Sequence, residues 1–223
     1  MKHRPNLGRI LQRFFRAASA KNKARRGPQT LTEASAPIKL PATHQQAAKT
    51  LVDKEAFKSV PVVNRIDKVD YTNCHPKIRE FYQAMRKQCR AMNIPLFAFE
   101  IYRSPQRQRE LLAKGRTKAG PGKSPHQYGC AVDIISATEY WDLTSKQWAV
   151  IGVIGKEVAR KRKIKLVWGG DWGWDMPHWE LENWRDYRWA MDQDAVTEPK
   201  WTDEWWAQLD HIIEIKNRKN KAA

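Results

Sequence analysis

Ten residues restrict this chain's fold more than any others: Ser124-Pro-His126-Gln-Tyr-Gly129-Cys-Ala131-Val-Asp133. The run from Cys130 to Ile135 is apolar apart from Asp133 and reads as a short strand. Gly129 permits the sharp turn that brings His126 back toward Asp133. Ala131 lies two residues before Asp133, so it shares that strand face and leaves room beside the carboxylate. Alternation puts Cys130 on the opposite face, as a small core residue. The pattern can therefore present a histidine loop and a strand carboxylate to one spot; the alternative is a plain loop histidine and a solvated strand carboxylate.

The flanking pattern supplies the rest of a domain. Pro76 suits the first turn of a helix, and Ile78, Phe81, Tyr82, Met85 and Cys89 give that helix one apolar face, ending near Asn93. Leu96 to Ile101 reads as a buried strand, and Ser104-Pro105 as a cap and start of a helix running to about Lys114. Residues 115–125 hold three Gly, two Pro, Arg116, Lys118 and Lys123, and form a loop. Ser145 to about Lys163 is a second long helix, with Trp148, Ile151, Gly155 and Val158 turned inward. Short strands follow at Leu166–Trp168 and Trp179–Leu181. Helices and short, mostly antiparallel strands in this order predict an α+β domain with a small sheet and flanking helices.

The tails differ in character. Residues 1–32 carry nine Lys/Arg and no acid, with Leu7, Ile10, Leu11, Phe14, Phe15 and Ala18 at helical spacing. They read as a basic amphipathic arm. Residues 19–60 are rich in Ala, Lys, Thr, Pro and Gln and read as a tether. The expected division is an arm and tether over 1–59, a catalytic domain over 60–195, and a Trp-rich helix with a basic tail over 196–223. The net charge of +17 suits a polyanionic partner: nucleic acid, an anionic membrane or an envelope polymer, met through residues 1–32. Three cysteines without a CxxC pair give neither a disulfide framework nor a zinc-finger spacing. No run of about 18 apolar residues is present to span a membrane. Arg9, Arg13 and Arg16 interrupt any signal-peptide core, so the chain is expected to be made in the cytoplasm.

Two further motifs carry chemistry. Asp175-Met-Pro-His178-Trp-Glu180 adds a second imidazole and two carboxylates. Two His and one Asp are good zinc ligands, and three protein ligands leave a fourth position for water. A nearby carboxylate can then accept and return a proton; Asp175 and Glu180 are both candidates, and Glu180 has the alternative of orienting a ligand. Tyr102-Arg103-Ser104 follows a strand end, where Arg103 is either an oxyanion donor or a surface cation. Ser124 either meets substrate or caps a turn. Trp168, Trp172, Trp174 and Trp179 surround the second motif as packing residues, with one of them in reach of a substrate groove.

Ser124-x-His126-x-x-Gly129-x-Ala131-x-Asp133 resembles the SxHxxGxAxD signature of the M15 peptidases, which include D-Ala-D-Ala carboxypeptidases and phage endolysins. Asp175-x-x-His178 is similar to that family's second signature. The resemblance covers about residues 70–185 and implies the hedgehog/DD-peptidase type of fold. It implies that His126, Asp133 and His178 hold Zn2+, that Asp175 is the catalytic base, that Arg103 polarises the scissile carbonyl and that Ser124 helps hold substrate. Asp rather than Glu at position 175 is similar to the phage L-alanyl-D-glutamate endopeptidases. The implied substrate is the peptide of bacterial peptidoglycan, cut by a monomer acting at the cell wall, free or carried in a phage particle. The rivals are a D-Ala-D-Ala carboxypeptidase or dipeptidase, and a non-catalytic zinc-stabilised module that binds polymer.

Overall fold

The computed structural model describes residues 38–193 and 201–222. In chain order it contains α1 (Ala42–Leu51), α2 (Val60–Asp67), α3 (Pro76–Ala91), β1 (Leu96–Glu100), α4 (Pro105–Ala113), β2 (Ala131–Ser136), α5 (Ser145–Arg162), β3 (Leu166–Trp168), β4 (His178–Leu181), α6 (Trp184–Gln193) and α7 (Asp203–Ala222). The four strands form one antiparallel sheet in the order β1-β2-β4-β3. This is the α+β architecture that the pattern of periods predicts.

Local chemistry fixes the helix starts. The Ser104 hydroxyl accepts from Arg107 N at 3.1 Å, which caps α4. The ring of His75 caps α3, its Nδ1 accepting from Lys77 N at 3.0 Å. Thr144 and Gln147 close a capping box at α5.

One face of the sheet is the core. Val132 and Ile134 of β2 and Trp179 and Leu181 of β4 are buried with Ile78, Phe81 and Met85 of α3 and Ile151 and Ile154 of α5. All four expected inward positions of α5 are buried. Gly155 explains how close α5 comes to the sheet: a Cβ there would lie 2.3 Å from the Trp179 ring. The other face, bearing Ala131, Asp133, His178 and Glu180, is left for the site.

Two boundaries differ from the expectation. Residues 38–59 are not a tether. Within them α1 packs on α5, Ile38, Ala48 and Leu51 are buried, and Gln147 donates to the Thr50 hydroxyl at 3.1 Å. The folded unit already includes Ile38 rather than beginning near Val60. So few apolar residues anchor α1 that its period is weak in the sequence. At the other end, α7 runs to Ala222, so the expected basic tail is helical. It belongs to the same core: Trp206, Leu209 and Ile213 are buried, Tyr187 Oη donates to Asp210 at 2.5 Å, and Lys216 pairs with Asp186 at 3.0 Å. The helix α6, for which no element was expected, packs against it. The amphipathic arm over residues 1–18 lies outside the described residues.

Candidate metal centre

Strand register builds the site. Asp133 of β2 stands directly opposite His178 of β4, and Ala131 opposite Glu180. Directly paired side chains of an antiparallel sheet are neighbours on one face, so one pairing joins the two sequence motifs. Across β1 a bulge between Ala98 and Glu100 brings Glu100 opposite Asp133.

His126 arrives from the helical turn Pro125–Tyr128, which ends at Gly129 in the left-handed conformation (φ +61°). A Cβ on Gly129 would sit 1.9 Å from the Asn73 carbonyl oxygen, so both the turn and the close approach demand glycine. The turn is strapped to the end of β1, where Arg103 N donates to the His126 carbonyl at 3.1 Å.

Three ligand atoms converge. His126 Nε2 lies 3.1 Å from His178 Nδ1, and Asp133 Oδ1 lies 3.3 Å from the first and 3.1 Å from the second. The far side of each ring settles which nitrogen holds a proton. His126 Nδ1 faces the Ile101 carbonyl at 2.9 Å and must donate to it. His178 Nε2 donates to Glu180 Oε2 at 3.1 Å. Each neutral ring therefore turns a bare lone pair toward the other and toward a carboxylate oxygen, an arrangement that is repulsive unless a cation sits among them. A tetrahedral ion with bonds of about 2.0–2.1 Å spaces its ligands by about 3.3–3.4 Å, close to the separations found. Among the described residues this is the group of His, Cys, Asp and Glu side chains arranged to hold a metal.

Without a metal, a proton takes that place. Burial opposes a charged His178 ring, but hydrogen bonds to Asp133 and Glu180 and the charge of Asp175 push its pKa up to about 10. Burial likewise acts to raise the Asp133 carboxyl, yet His126 and then His178 outweigh it and hold it well below the usual carboxylate range.

The remaining predicted residues line the same cavity, of 730 Å³. Asp175 is half-buried there, and burial raises its pKa above the ordinary carboxylate value, with His178 opposing and Asp133 adding to the shift. Its rival Glu180 is committed elsewhere: Oε2 holds His178, and Oε1 accepts from Trp184 Nε1 at 3.1 Å. Glu180 therefore orients the His178 ring and fixes its tautomer. Ser124 is buried and its hydroxyl does not cap the turn that follows. Arg103 is buried rather than a surface cation. Its Nε donates to Glu100 at 2.6 Å, another nitrogen donates to Gln108 Oε1 at 3.1 Å, and a third lies 3.7 Å from Asp133 Oδ2. Cys130 is fully buried, and burial keeps its thiol protonated, as a core residue requires.

Sequence reasoning gave no role to Glu100 or Gln108. The available signal for Glu100 was a single acid in an otherwise apolar strand, three residues before Arg103.

Residues 117–181 match a family model described as D-alanyl-D-alanine carboxypeptidase, of the M15 peptidases. That span contains His126, Asp133, Asp175 and His178; Arg103 lies outside it. A peptidoglycan L-alanyl-D-glutamate endopeptidase of Bacillus subtilis, CwlK, is 28% identical over 130 residues, covering 49% of this chain and 74% of the relative. Among solved structures, the L-Ala D-Glu endopeptidase ChiX of Serratia marcescens is similar at 24% identity, covering 68% of this chain and 94% of that one, with a TM-score of 0.37.

Proposed function

We propose that this chain, which is similar to M15 family peptidases, cuts the L-alanyl-D-glutamate bond of bacterial peptidoglycan, with zinc held by His126, Asp133 and His178. The observation that carries the proposal is the convergence of His126 Nε2, Asp133 Oδ1 and His178 Nδ1, 3.1–3.3 Å apart, on a cavity that also contains the Asp175 carboxylate. Zinc in such a site polarises a carbonyl and lowers the pKa of water toward 7. Three protein ligands, with Glu180 engaged by His178 and Trp184, leave a position open, which favours an enzyme over a structural zinc module.

The residues then divide the work. Asp175 accepts the proton of the water that adds to the amide carbonyl, and passes it to the amine as the C–N bond breaks. Its raised pKa supports that role, because a base that must also act as an acid works best nearer neutrality. Arg103 polarises the carbonyl oxygen; its burial and its fixed bonds to Glu100 and Gln108 support an aimed guanidinium. Ser124, free of capping duty, donates to or accepts from the peptide backbone. The place of action is the bacterial wall.

Digestion of purified peptidoglycan tests this reading. New L-alanine C-termini and D-glutamate N-termini, found by mass spectrometry, are expected. Release of free D-alanine alone would assign the D-Ala-D-Ala carboxypeptidase activity that the matched family model describes.

A further inference from the structure

The two walls of the cavity have different chemistry. On the β1 side runs the loop between α4 and β2, with Arg116, Lys118 and Lys123 exposed and in no ion pair among the described residues. From Glu110 to Asp133 the chain has no carboxylate between. Gln108 ties this loop to the site: its Nε2 donates to the Ala119 carbonyl at 2.6 Å while its Oε1 accepts from Arg103. On the far side, past His178, stand Trp172 and Trp174. The Trp172 ring is 5.6 Å from the His178 ring, and the two indoles stack at 5.5 Å and 28°. The contacts thus pass in succession from the basic loop through Gln108, Arg103, Asp133 and His178 to the tryptophans.

Trp174 is 72% exposed and Trp172 41%. Indoles at such exposure, continuous with a cavity, mark a surface that gains by being covered. The segment that carries them is anchored. Gly173 at φ +83° turns the chain between them, Trp168 Nε1 donates to the Met176 carbonyl at 2.8 Å, and Asp171 pairs with Lys156 at 2.5 Å. A flat apolar face on a fixed support loses little entropy when a ring settles on it.

The proposed substrate has matching ends. Beyond the scissile bond the stem peptide carries carboxylates, because D-glutamate continues the chain through its γ-carboxyl and keeps its α-carboxylate. These fit the basic wall. Before the bond there is one alanine, joined to the lactyl group of a muramic acid ring, so a pyranose lies within about 7 Å, two residue lengths. With the acidic half against the cations, the sugar half falls on the His178 side. We propose that Trp172 and Trp174 form a stacking platform for the muramyl sugar, which makes this enzyme selective for stem peptides still attached to glycan. The inference rests on the peptidoglycan reading above and adds the sugar to it.

The test compares the zinc-loaded enzyme on two substrates: a disaccharide-linked stem peptide and the same peptide without sugar. The sugar-linked substrate should be favoured roughly threefold to tenfold in kcat/KM, mainly through KM, the scale of one aromatic stacking contact. In Trp174→Ala that ratio should fall to about one, and Trp174→Phe should keep most of it. Equal use of both substrates by the wild type, or an unchanged ratio in Trp174→Ala, overturns the platform. If neither substrate is cut, the peptidoglycan reading fails, and the platform is judged by binding. Titration with the N-acetylglucosamine–N-acetylmuramic acid disaccharide should give a saturable tryptophan fluorescence change that Trp174→Ala loses. No saturable change overturns it, as does Trp174-dependent sedimentation with phosphatidylglycerol vesicles in place of a disaccharide response.

Discussion

His75 and His178 are equally hidden from water and are held in opposite ways. Only 1% of His75 and 5% of His178 is exposed. His75 sits among rings, 4.6 Å from both Tyr187 and Trp206, with its Nδ1 used as a helix cap. Burial, and after it the charges of Lys77 and Arg79, lower its pKa to about 3. His178 sits between two carboxylates, and its pKa is pushed up to about 10. Burial disfavours the charged ring in both places; the neighbours reverse the outcome in one. A buried histidine is thus a metal ligand or a core residue according to what faces it.

The largest effect should separate the two residues by metal content. His178→Ala should lose the metal, and with it all hydrolysis. His75→Ala should keep one metal per chain but lose about 2–4 kcal/mol of stability, from the lost cap and the cavity left behind. Metal analysis and denaturant unfolding of both variants check this. A His75→Ala protein that is folded but metal-free would break the comparison.

The carboxylates around His178 come next. Asp175→Asn should retain zinc and lose hydrolysis by about 10²-fold or more. Glu180→Gln should instead weaken metal affinity by about 10- to 100-fold, with activity returning when zinc is in excess. If Glu180→Gln stays inactive at saturating zinc while Asp175→Asn remains active, the base is Glu180.

The pH effects are smaller and opposite in sign. The lowered pKa of His75 means that its neutral form is the folded one. Its contribution is present above the unfolded value near 6.5 and is lost as pH falls toward about 3. Acid unfolding of the metal-free protein should therefore be less steep in that window for His75→Phe than for the wild type. The raised pKa of His178 gives a contribution present below about 6.5 and lost as pH rises toward about 10. Zinc must expel that proton, so affinity should fall by up to about tenfold per unit between pH 8 and pH 6. Competition with a chelator of known affinity measures it, and a flat profile would mean that His178 is not a ligand.

These contrasts were unequally legible in the sequence. His126, Gly129, Ala131 and Asp133 lie within one turn and strand, so local spacing sufficed to group them. Resemblance to a family signature then joined them to Asp175 and His178 across more than forty residues, a pairing that the β2–β4 register explains. Glu100 reaches the site only through a bulge, and Gln108 only through the fold of its loop, neither of which periodicity reveals. The helix α1 was hidden because Ala48 and Leu51 alone of its residues are buried. Nothing near His75 in the sequence marks its burial, because its aromatic partners Tyr187 and Trp206 lie over a hundred residues away.

The central claim is that a metal held by His126, Asp133 and His178 is required for cutting peptidoglycan. Stepwise addition of zinc to chelator-stripped protein, with peptide release from purified peptidoglycan followed at each step, tests it directly. Activity should start from zero, rise in proportion to zinc and stop rising at about one ion per chain, the stoichiometry of a single three-ligand site. Stripped protein that mass spectrometry shows to be metal-free and that still releases wall peptides would contradict the account.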